Sequence, residues 1–276
     1  MPYLKSSAAP STEIFYGDTG GKGQPIVLVH GWPLSSLMWE AQINALTAAG
    51  FRCISYDRRG FGASGKPAGG YDYDTMTADL RELIVHLDLK NVVLAGFSMG
   101  GGEVARYFGL YGADRIAKAI LISAVPPYLL KTADNPDGVP KEVLDGILKG
   151  VTDDRINFLA GFLQKFFNLD KKKDAISDEV LQFNKSIAWQ ASPIATQDCV
   201  KAFSGTDFRS DMKKMTVPTL VVHGDSDQIV PFEVSGKRSA ELLKGSRLEV
   251  VKGGPHGIAT THAEKLSALL LDFLKS

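Results

Sequence analysis

Short apolar runs alternate with longer amphipathic stretches along most of this chain. The runs have the length of buried strands, and the stretches repeat apolar residues every three to four positions, as one face of a helix does. Strands that alternate with helices predict a parallel sheet covered on both faces, with its ligand site beyond the carboxyl ends of the strands. The predicted strands lie at 26–29, 51–56, 92–95, 119–122, 219–222 and 248–251.

Two of the amphipathic stretches predict helices by the spacing of their apolar residues. These residues recur at helical intervals over positions 80–87 and again over positions 266–273. Thr261 and Glu264 precede the second stretch at the spacing of a capping box. We therefore expect Thr261 to open the last helix.

The alternation stops after the fourth predicted strand, where Pro126 and Pro127 follow. Helical patterns rich in phenylalanine come next, and the strand pattern then returns. We therefore expect one body, formed by residues 1–125 and 215–276, that is interrupted by a helical cap over residues 126–214. The pattern alone is compatible with aromatic side chains that fasten the cap to the body and with aromatic side chains that line a pocket.

Charge and composition exclude several kinds of partner. The 276 residues carry 31 lysines and arginines against 31 aspartates and glutamates, so the net charge is zero. A neutral chain gives no electrostatic basis for binding nucleic acid or an acidic membrane surface. Two cysteines are too few for a disulfide framework, no apolar run is long enough to cross a bilayer, and the first residues lack the apolar segment of a signal peptide. We therefore expect a soluble, cytoplasmic globular protein.

Residues 96–100 form the pattern G-x-S-x-G around Ser98. The pattern directly follows the predicted strand at 92–95 and precedes a helical stretch, which is the context of a nucleophile elbow. Such an elbow holds its serine in a strained turn, and the two glycines remove Cβ atoms that would clash there. The helix N-terminus beneath the turn favours developing negative charge. We therefore predict that Ser98 is a nucleophile.

A serine hydroxyl needs a base to become an effective nucleophile. Among the five histidines, His256 lies in a glycine-rich loop between the last predicted strand and the last helix, where this architecture delivers a general base. His30 and His223 end strands, so they are expected to be hydrogen-bonding groups near the site. His86 lies off the apolar face of its helix and is expected on the surface. The predicted base is His256.

The base in turn needs a carboxylate that fixes its tautomer and stabilises its charged form. Asp225 and Asp227 both follow the predicted strand at 219–222. Asp225 comes directly after the strand and is expected to shape the turn, so Asp227 is the predicted acid. The fourth predicted strand is followed by no carboxylate at 123–125, which removes the other common position for the acid.

An oxyanion hole needs two donors directed at the tetrahedral intermediate. One is expected to be the backbone N–H of Met99, the residue after the nucleophile. The other is expected in the loop after the first predicted strand, where Pro33 has no N–H and Trp32 has one. We therefore assign the second donor to Trp32.

Five ordered motifs carry a resemblance to a known family. They are HGWP at 30–33, DRRGFG-x-S at 57–64, GFSMGGG at 96–102, HGD-x-D-x-IVP at 223–231 and PHG at 255–257. They resemble the motifs of α/β-hydrolases in the group of aryl esterases and cofactor-free bacterial haloperoxidases. The resemblance implies the α/β-hydrolase fold, a mostly parallel twisted sheet flanked by helices with a helical cap. It also assigns Ser98, Asp227 and His256 to a catalytic triad, and Trp32 and Met99 to the oxyanion hole.

The resemblance further implies a chemistry and a kind of substrate. Members of this group cleave small aryl or alkyl esters through an acyl-enzyme. In perhydrolysis, peroxide replaces water as the acceptor, and the released peracid oxidises halide away from the protein. No cofactor, metal or haem is expected, the partner is a small ester or a carboxylic acid with peroxide, and a homo-oligomer is compatible with the sequence. The residues that the resemblance places at the acyl pocket are Trp32, Phe162, Phe166, Phe203, Ile229 and Phe232.

The sequence is compatible with two alternatives to an esterase. Certain γ-lactamases resemble the group, so amide or lactam cleavage is the main one. A fold used only for ligand sensing predicts a damaged triad or oxyanion loop, and neither is present in the motifs. Haloalkane dehalogenases and epoxide hydrolases need aspartate at position 98, where this chain has serine.

Pro33 occupies a position where members of the group with good perhydrolase activity tend to have proline. The charged triplet at 57–59 either binds a substrate carboxylate or forms structural ion pairs, and we favour ion pairs.

Overall fold

A computed structural model describes residues 2–276 of the chain. Its strands are β1 (Tyr3–Ser6), β2 (Thr12–Asp18), β3 (Pro25–Val29), β4 (Arg52–Tyr56), β5 (Val92–Phe97), β6 (Ile116–Ile122), β7 (Thr219–Gly224) and β8 (Arg247–Val251). They form one sheet in the order β1-β2-β4-β3-β5-β6-β7-β8. Only β2 runs antiparallel to its neighbours, and every other adjacent pair is parallel. The prediction of a mostly parallel sheet is confirmed.

All six predicted strands are present, with ends that differ from the prediction by at most three residues. The central strands β5 and β7 are buried at every position. Strands with both faces covered read as unbroken apolar runs, because no side of the strand faces water. This is why the sequence pattern identifies them.

The first two strands are missing from the sequence prediction. β1 pairs antiparallel with β2 at one edge of the sheet, with Tyr3 opposite Phe15. Burial in β1 alternates, so that Leu4 and Ser6 are buried while their neighbours are exposed. A short edge strand of this kind contains polar residues and has no continuous apolar run, so it does not match the pattern of a buried parallel strand.

The helices of the described chain flank this sheet. They are α1 (Glu40–Ala48), α2 (Tyr73–His86), α3 (Met99–Tyr111), α4 (Lys141–Asp153), α5 (Arg155–Phe166), α6 (Asp178–Gln190), α7 (Pro193–Gly205), α8 (Arg209–Met212), α9 (Gly236–Leu242), α10 (Ile258–Thr261) and α11 (Ala263–Lys275). In addition, a short 3₁₀ helix spans Ser36–Trp39. α1 packs against α11, and α2 packs against α3. The amphipathic stretches at 80–87 and 266–273 fall in α2 and α11, as predicted.

The predicted capping box at the start of the last helix is wrong. Thr261 ends the one-turn helix α10, and its hydroxyl donates to the carbonyl of Gly257 at 3.1 Å. The last helix begins at Ala263, and its N-cap is His262, whose side chain caps no backbone N–H. Thr261 is the last helical residue of α10, so it does not occupy the extended N-cap position from which a hydroxyl accepts the N–H groups of the next helix.

Five helices, α4 to α8, lie between β6 and β7, where the alternating pattern stops. α4 packs against both α5 and α7, and α5 packs against α6. The helical pattern predicted for this stretch is thus present as helices. The division of the chain into a body (1–125 and 215–276) and a cap (126–214) remains a prediction.

Candidate active site

Ser98 lies in the sharp turn between β5 and α3. Its φ is +52° and its ψ is −119°, a strained conformation for a residue other than glycine. The turn is held because the Ser98 N–H donates to the carbonyl of Ile122 at 2.9 Å. A Cβ at Gly96 would collide with the backbone of Gly100, and one at Gly100 would collide with the backbone of Val29. The two glycines of the motif therefore permit the turn, as predicted.

Three predicted residues meet at the carboxyl edge of the sheet. The Oγ of Ser98 lies 2.9 Å from Nε2 of His256, and Nδ1 of His256 lies 2.7 Å from Oδ2 of Asp227. All three side chains are buried. With the Nδ1 proton donated to Asp227, Nε2 is left as an acceptor for the serine proton. The arrangement has the geometry of a nucleophile, a base and an orienting acid.

Asp227 is held as a carboxylate by its surroundings. Its Oδ1 accepts the backbone N–H groups of Ile229 and Val230, each at 2.8 Å. Burial by itself would raise the pKa of Asp227, but the neighbouring His256 and the hydrogen bonds from His223 and His256 outweigh it and bring the pKa well below its usual range. The carboxylate is therefore ionised across the neutral pH range.

Asp225, the other candidate acid, takes the role expected of it. Its side chain is exposed, and Oδ1 accepts the backbone N–H of Gly253 at 2.7 Å and the hydroxyl of Ser226 at 3.2 Å. These bonds fasten the loop after β7 to the loop that follows β8. Asp225 thus shapes the turn and does not contact His256.

His223 contacts the same carboxylate from the other side. Its Nε2 donates to the carbonyl of Val230 at 2.9 Å and lies 3.3 Å from Oδ2 of Asp227. In residues 2–276 no partner reaches its buried Nδ1. His223 is therefore a hydrogen-bonding histidine near the site, as expected. Its contact with Asp227 is absent from the sequence prediction, because it depends on how the loop after β7 folds back toward the end of that strand.

Two phenylalanine rings that contact each other also pack against the imidazole of His256. The ring centroids of Phe97 and Phe166 each lie 4.9 Å from that of His256, and the Phe166 ring is nearly perpendicular to it at 86°. The carbonyl of Phe166 also accepts the N–H of Gly257 at 2.9 Å. Just beyond α5, the side-chain amide of Asn168 donates to the carbonyl of Ser226 at 2.8 Å. The C-terminal end of α5 is thereby bonded to both loops that carry the acid and the base.

The two predicted oxyanion donors follow two neighbouring strands of the sheet, β3 and β5. Met99 is the first residue of α3, and Trp32 follows β3 in the loop at 30–33. Within the described chain, no protein acceptor takes the backbone N–H of either residue. Both groups are thus available to a ligand oxygen. Their role in an oxyanion hole remains a proposal.

His30 is a buried, uncharged histidine that holds the loop containing Trp32 in place. Nε2 of His30 accepts the N–H of Arg58 at 2.9 Å, and Nδ1 lies 2.9 Å from the carbonyl of Gly31. Burial and the positive charge of Arg58 hold the pKa of His30 well below its usual range, although the bond to Gly31 acts in the opposite direction. His30 is therefore uncharged and fixes the loop by hydrogen bonds alone.

The charged triplet at 57–59 is built into the structure: the two arginines form buried ion pairs, and the carboxylate of Asp57 accepts backbone N–H groups. Arg58 forms an ion pair with Glu103, and its Nη2 donates to the carbonyl of His30 at 2.6 Å. Arg59 donates from Nε to Asp79 at 2.6 Å. Both arginines are almost fully buried. The interpretation as structural ion pairs is confirmed, because neither guanidinium faces the cavity beside Ser98.

That cavity is lined mainly by apolar side chains. Of the predicted pocket residues, Trp32, Phe162, Phe203 and Ile229 line it together with Ser98. The Trp32 ring packs edge-on against Phe162 at 5.0 Å and Phe203 at 5.8 Å. Aromatic residues of the helices between β6 and β7 therefore do both things: they line the cavity, and they pack against Trp32 in the loop after β3.

Two predicted pocket residues do not line this cavity. Phe166 is displaced from it because its ring is packed against His256. Phe232 lies on the far side of the acid loop, with its ring 5.8 Å from that of His223. Phe162 and Phe166 share a helix face, yet one lines the cavity and the other packs against His256. Helical spacing alone does not distinguish these two positions.

No group of three or more histidine, cysteine or acidic side chains in residues 2–276 is arranged to hold a metal ion. None of the helices in this part of the chain has the length and apolar character needed to span a bilayer. Both cysteines are buried and free.

Comparison with known proteins places the chain in a family. Residues 24–263 match the model of the α/β hydrolase fold. The chain is 44% identical to a non-heme chloroperoxidase of Kitasatospora aureofaciens, over 95% of this chain and 96% of the relative, and 42% identical to a bifunctional esterase/perhydrolase of Acinetobacter calcoaceticus, over 96% of each. The crystal structure of a bromoperoxidase from Bacillus anthracis is 49% identical and matches all of both chains with a TM-score of 0.95. The chain therefore belongs to the α/β hydrolase fold family, in the group that contains non-heme haloperoxidases and esterase/perhydrolases.

Proposed function

We propose that this protein is a serine hydrolase that cleaves small aryl and alkyl esters through an acyl-enzyme. The observation that carries the proposal is the unbroken chain of contacts from Ser98 through His256 to Asp227, with the serine facing an apolar cavity. A neutral ester has an apolar acyl group that suits such walls and needs no cation for recognition. The names of the relatives support the same class of reaction.

In the acylation step, Oγ of Ser98 attacks the ester carbonyl while Nε2 of His256 accepts the hydroxyl proton. Asp227 stabilises the imidazolium that forms, because its carboxylate is ionised and lies at Nδ1. The carbonyl oxygen acquires negative charge, which the N–H groups of Trp32 and Met99 stabilise. His256 then gives the proton to the departing alcohol, and the acyl group remains on Ser98.

In the deacylation step, His256 removes a proton from the acceptor, which attacks the acyl carbon, and then gives that proton to Oγ of Ser98 as the ester bond to the serine breaks. With water the product is a carboxylic acid. With hydrogen peroxide the product is a peracid, because the peroxide oxygen forms the new bond to the acyl carbon and the serine oxygen leaves. We propose this perhydrolysis as a second activity, supported by Pro33 and by the haloperoxidase names of the relatives. The peracid then oxidises halide in solution.

The direct test is Ser98→Ala with p-nitrophenyl acetate. We expect turnover to fall by about a thousand-fold or more, since loss of the nucleophile removes the covalent route. A fluorophosphonate should label the wild-type protein stoichiometrically and leave Ser98→Ala unlabelled. Ser186→Ala, an exposed serine on α6, is the matched control. Retention of a tenth of the activity by Ser98→Ala would contradict the proposal.

A parallel assay distinguishes the main activity from its alternatives. Short aryl esters, acetate with peroxide, and a bicyclic γ-lactam are offered to the same preparation. We expect ester turnover to exceed lactam turnover, with peracid formation detectable when peroxide is present. Lactam cleavage faster than ester cleavage would make the protein an amidase, and labelling without turnover of any substrate would favour a ligand sensor.

A further inference from the structure

An open groove lies directly outside the cavity, between α4 and α5. Four residues line both spaces, namely Val143 and Ile147 on α4, Phe162 on α5 and Ile229 in the acid loop. The groove is the larger of the two spaces. A chain attached to the ester group reaches the groove by passing along these shared walls.

Two glycines keep the groove wide. Gly146 lies in the interior of α4 and Gly161 in the interior of α5, and both line the groove. A Cβ built at either position meets no atom within 4 Å. Gly150 differs, because a Cβ there would collide with the ring of Phe158. Glycine is unfavourable in a helix interior, and close packing does not require it at Gly146 or Gly161. Its effect at these two positions is to leave the groove wider.

The outer end of the groove carries one positive charge. Lys165 is the only ionisable side chain among the described residues that line it. The lysine ion pairs of residues 2–276 all involve other lysines, so the ammonium of Lys165 has no carboxylate partner there. Asn157, Gly161 and Lys165 are spaced four apart and share one face of α5. An amide and an ammonium therefore point along the same wall.

The neighbouring amide of Gln228 does not compete for this role. Its Nε2 already donates to Oδ1 of Asn168 at 2.8 Å and to Oδ1 of Asp170 at 3.0 Å. Both hydrogens of that amide are thus used within the protein. The free donors in the groove are those of Lys165 and Asn157, which lie about 12 Å apart along α5, and the ammonium of Lys165 is the one that suits a carboxylate.

We propose that this groove is a second binding site, which receives the distal part of substrates longer than the cavity, and that Lys165 binds a carboxylate at their far end. The substrate class is then an ester with a carboxylate remote from the scissile carbonyl. The inference rests on the proposed function, since the ester group must react at Ser98. The apolar walls of Val143, Ile147 and Phe162 suit an alkyl chain between the two ends.

The test compares matched pairs of substrates that differ only in the distal charge. One series consists of p-nitrophenyl esters of linear monocarboxylic acids and the half-esters of the dicarboxylic acids of equal carbon number. A second series carries the distal carboxylate on the alcohol, with the matching methyl-ended alcohol as its partner. In each series the chain is lengthened in steps, and kcat/KM is measured at low salt.

We expect the charged substrate to gain over its neutral partner once the chain is long enough to reach the groove. In Lys165→Met this advantage should fall by about two- to five-fold, the range of an exposed ion pair, and in Lys165→Glu it should reverse. Lys5→Met, an exposed lysine on β1, is the matched control and should change nothing. Gly161→Leu should lower kcat/KM for the long substrates in both charge states, and Gly161→Ala should do so less.

The proposal is overturned if no chain length in either series shows a charge advantage that depends on Lys165, or if Gly161→Leu slows acetate and long esters equally. A failure of the proposed function gives a different result, because p-nitrophenyl acetate would then not be turned over by the wild-type protein at all. The two failures are therefore separated by one short neutral ester.

Discussion

The ring of Phe166 meets the imidazole of His256 edge-on, with the two centroids 4.9 Å apart and the planes at 86°. The same residue accepts a backbone hydrogen bond from Gly257, the neighbour of the histidine. The contact joins a helix of the inserted segment to the proposed base. The orientation of His256 is therefore set by two phenylalanines from different parts of the chain as well as by Asp227.

Substitution of Phe166 by leucine should impair catalysis more than binding. A smaller side chain leaves the imidazole free to rotate, and a small misplacement of a reacting group lowers the rate by about ten- to a hundred-fold. We expect kcat for p-nitrophenyl acetate to fall within this range while KM changes less than about two-fold. Phe167→Leu is the control, since Phe167 is equally buried beside Phe166 but makes no ring contact with His256. Equal losses in the two variants would assign Phe166 a role in packing alone.

Asp227→Asn should abolish most activity and change how stability depends on pH. An asparagine cannot stabilise the imidazolium and favours the wrong tautomer, so we expect kcat to fall by about a thousand-fold or more. The pKa of Asp227 is lower in the folded protein than its unfolded value of about 3.9. The folded state thus binds fewer protons, and this stabilisation is complete above pH ~4 and declines as the pH falls through the folded pKa.

Urea unfolding of the wild-type protein and Asp227→Asn at a series of pH values measures this linkage. The difference in the free energy of unfolding should be largest at neutral pH and should shrink as the pH falls below ~4. Ser226→Ala, in the same loop, serves as the control and should show no such trend. A constant difference from pH 7 to pH 3 would mean that the carboxylate is not held in its ionised form.

Glu103→Gln should destabilise the protein strongly, because it leaves the charge of Arg58 buried without a partner. Breaking a buried ion pair costs about 3–5 kcal/mol, whereas replacing both members by apolar residues costs much less. We therefore expect the double variant Arg58→Met with Glu103→Leu to unfold at a higher urea concentration than Glu103→Gln. The comparison is made by urea denaturation followed by circular dichroism. A double variant less stable than the single one would contradict a net desolvation cost for the pair.

The glycines of α4 and of the elbow should respond oppositely to alanine. Gly146→Ala adds a methyl group to open space in a helix interior and should raise the free energy of unfolding by about 0.5–1 kcal/mol. Gly100→Ala places a Cβ against the backbone of Val29 and His30 and should lower it by about 2 kcal/mol or more. Melting temperatures of the two variants provide the measurement. A stabilised Gly100→Ala would show that the elbow has more room than its backbone contacts indicate.

The sequence predicts the site better than it predicts the site's surroundings. Ser98, Asp227 and His256 each lie in a loop or turn that follows a parallel strand, and parallel strands bring such loops to one edge, so local patterns suffice to find them. The contact of His223 with Asp227 and that of Phe166 with His256 depend on how loops and cap helices pack. No local periodicity encodes those contacts. The edge strand β1 and its neighbour β2 escape prediction for a related reason, since their residues are buried only at alternate positions or in part.

The bonds at the end of α5 have a consequence for the modularity of the molecule. Phe166 and Asn168 join the helices inserted between β6 and β7 to the loops at Gly257 and Ser226, so the end of α5 is also part of the scaffold of the proposed acid and base. A chimera that takes its inserted helices from a relative, in order to change the substrate range, must therefore keep the end of α5 and its hydrogen bonds unchanged. Crossovers placed after Asn168 would replace α6 and α7 and leave those hydrogen bonds intact.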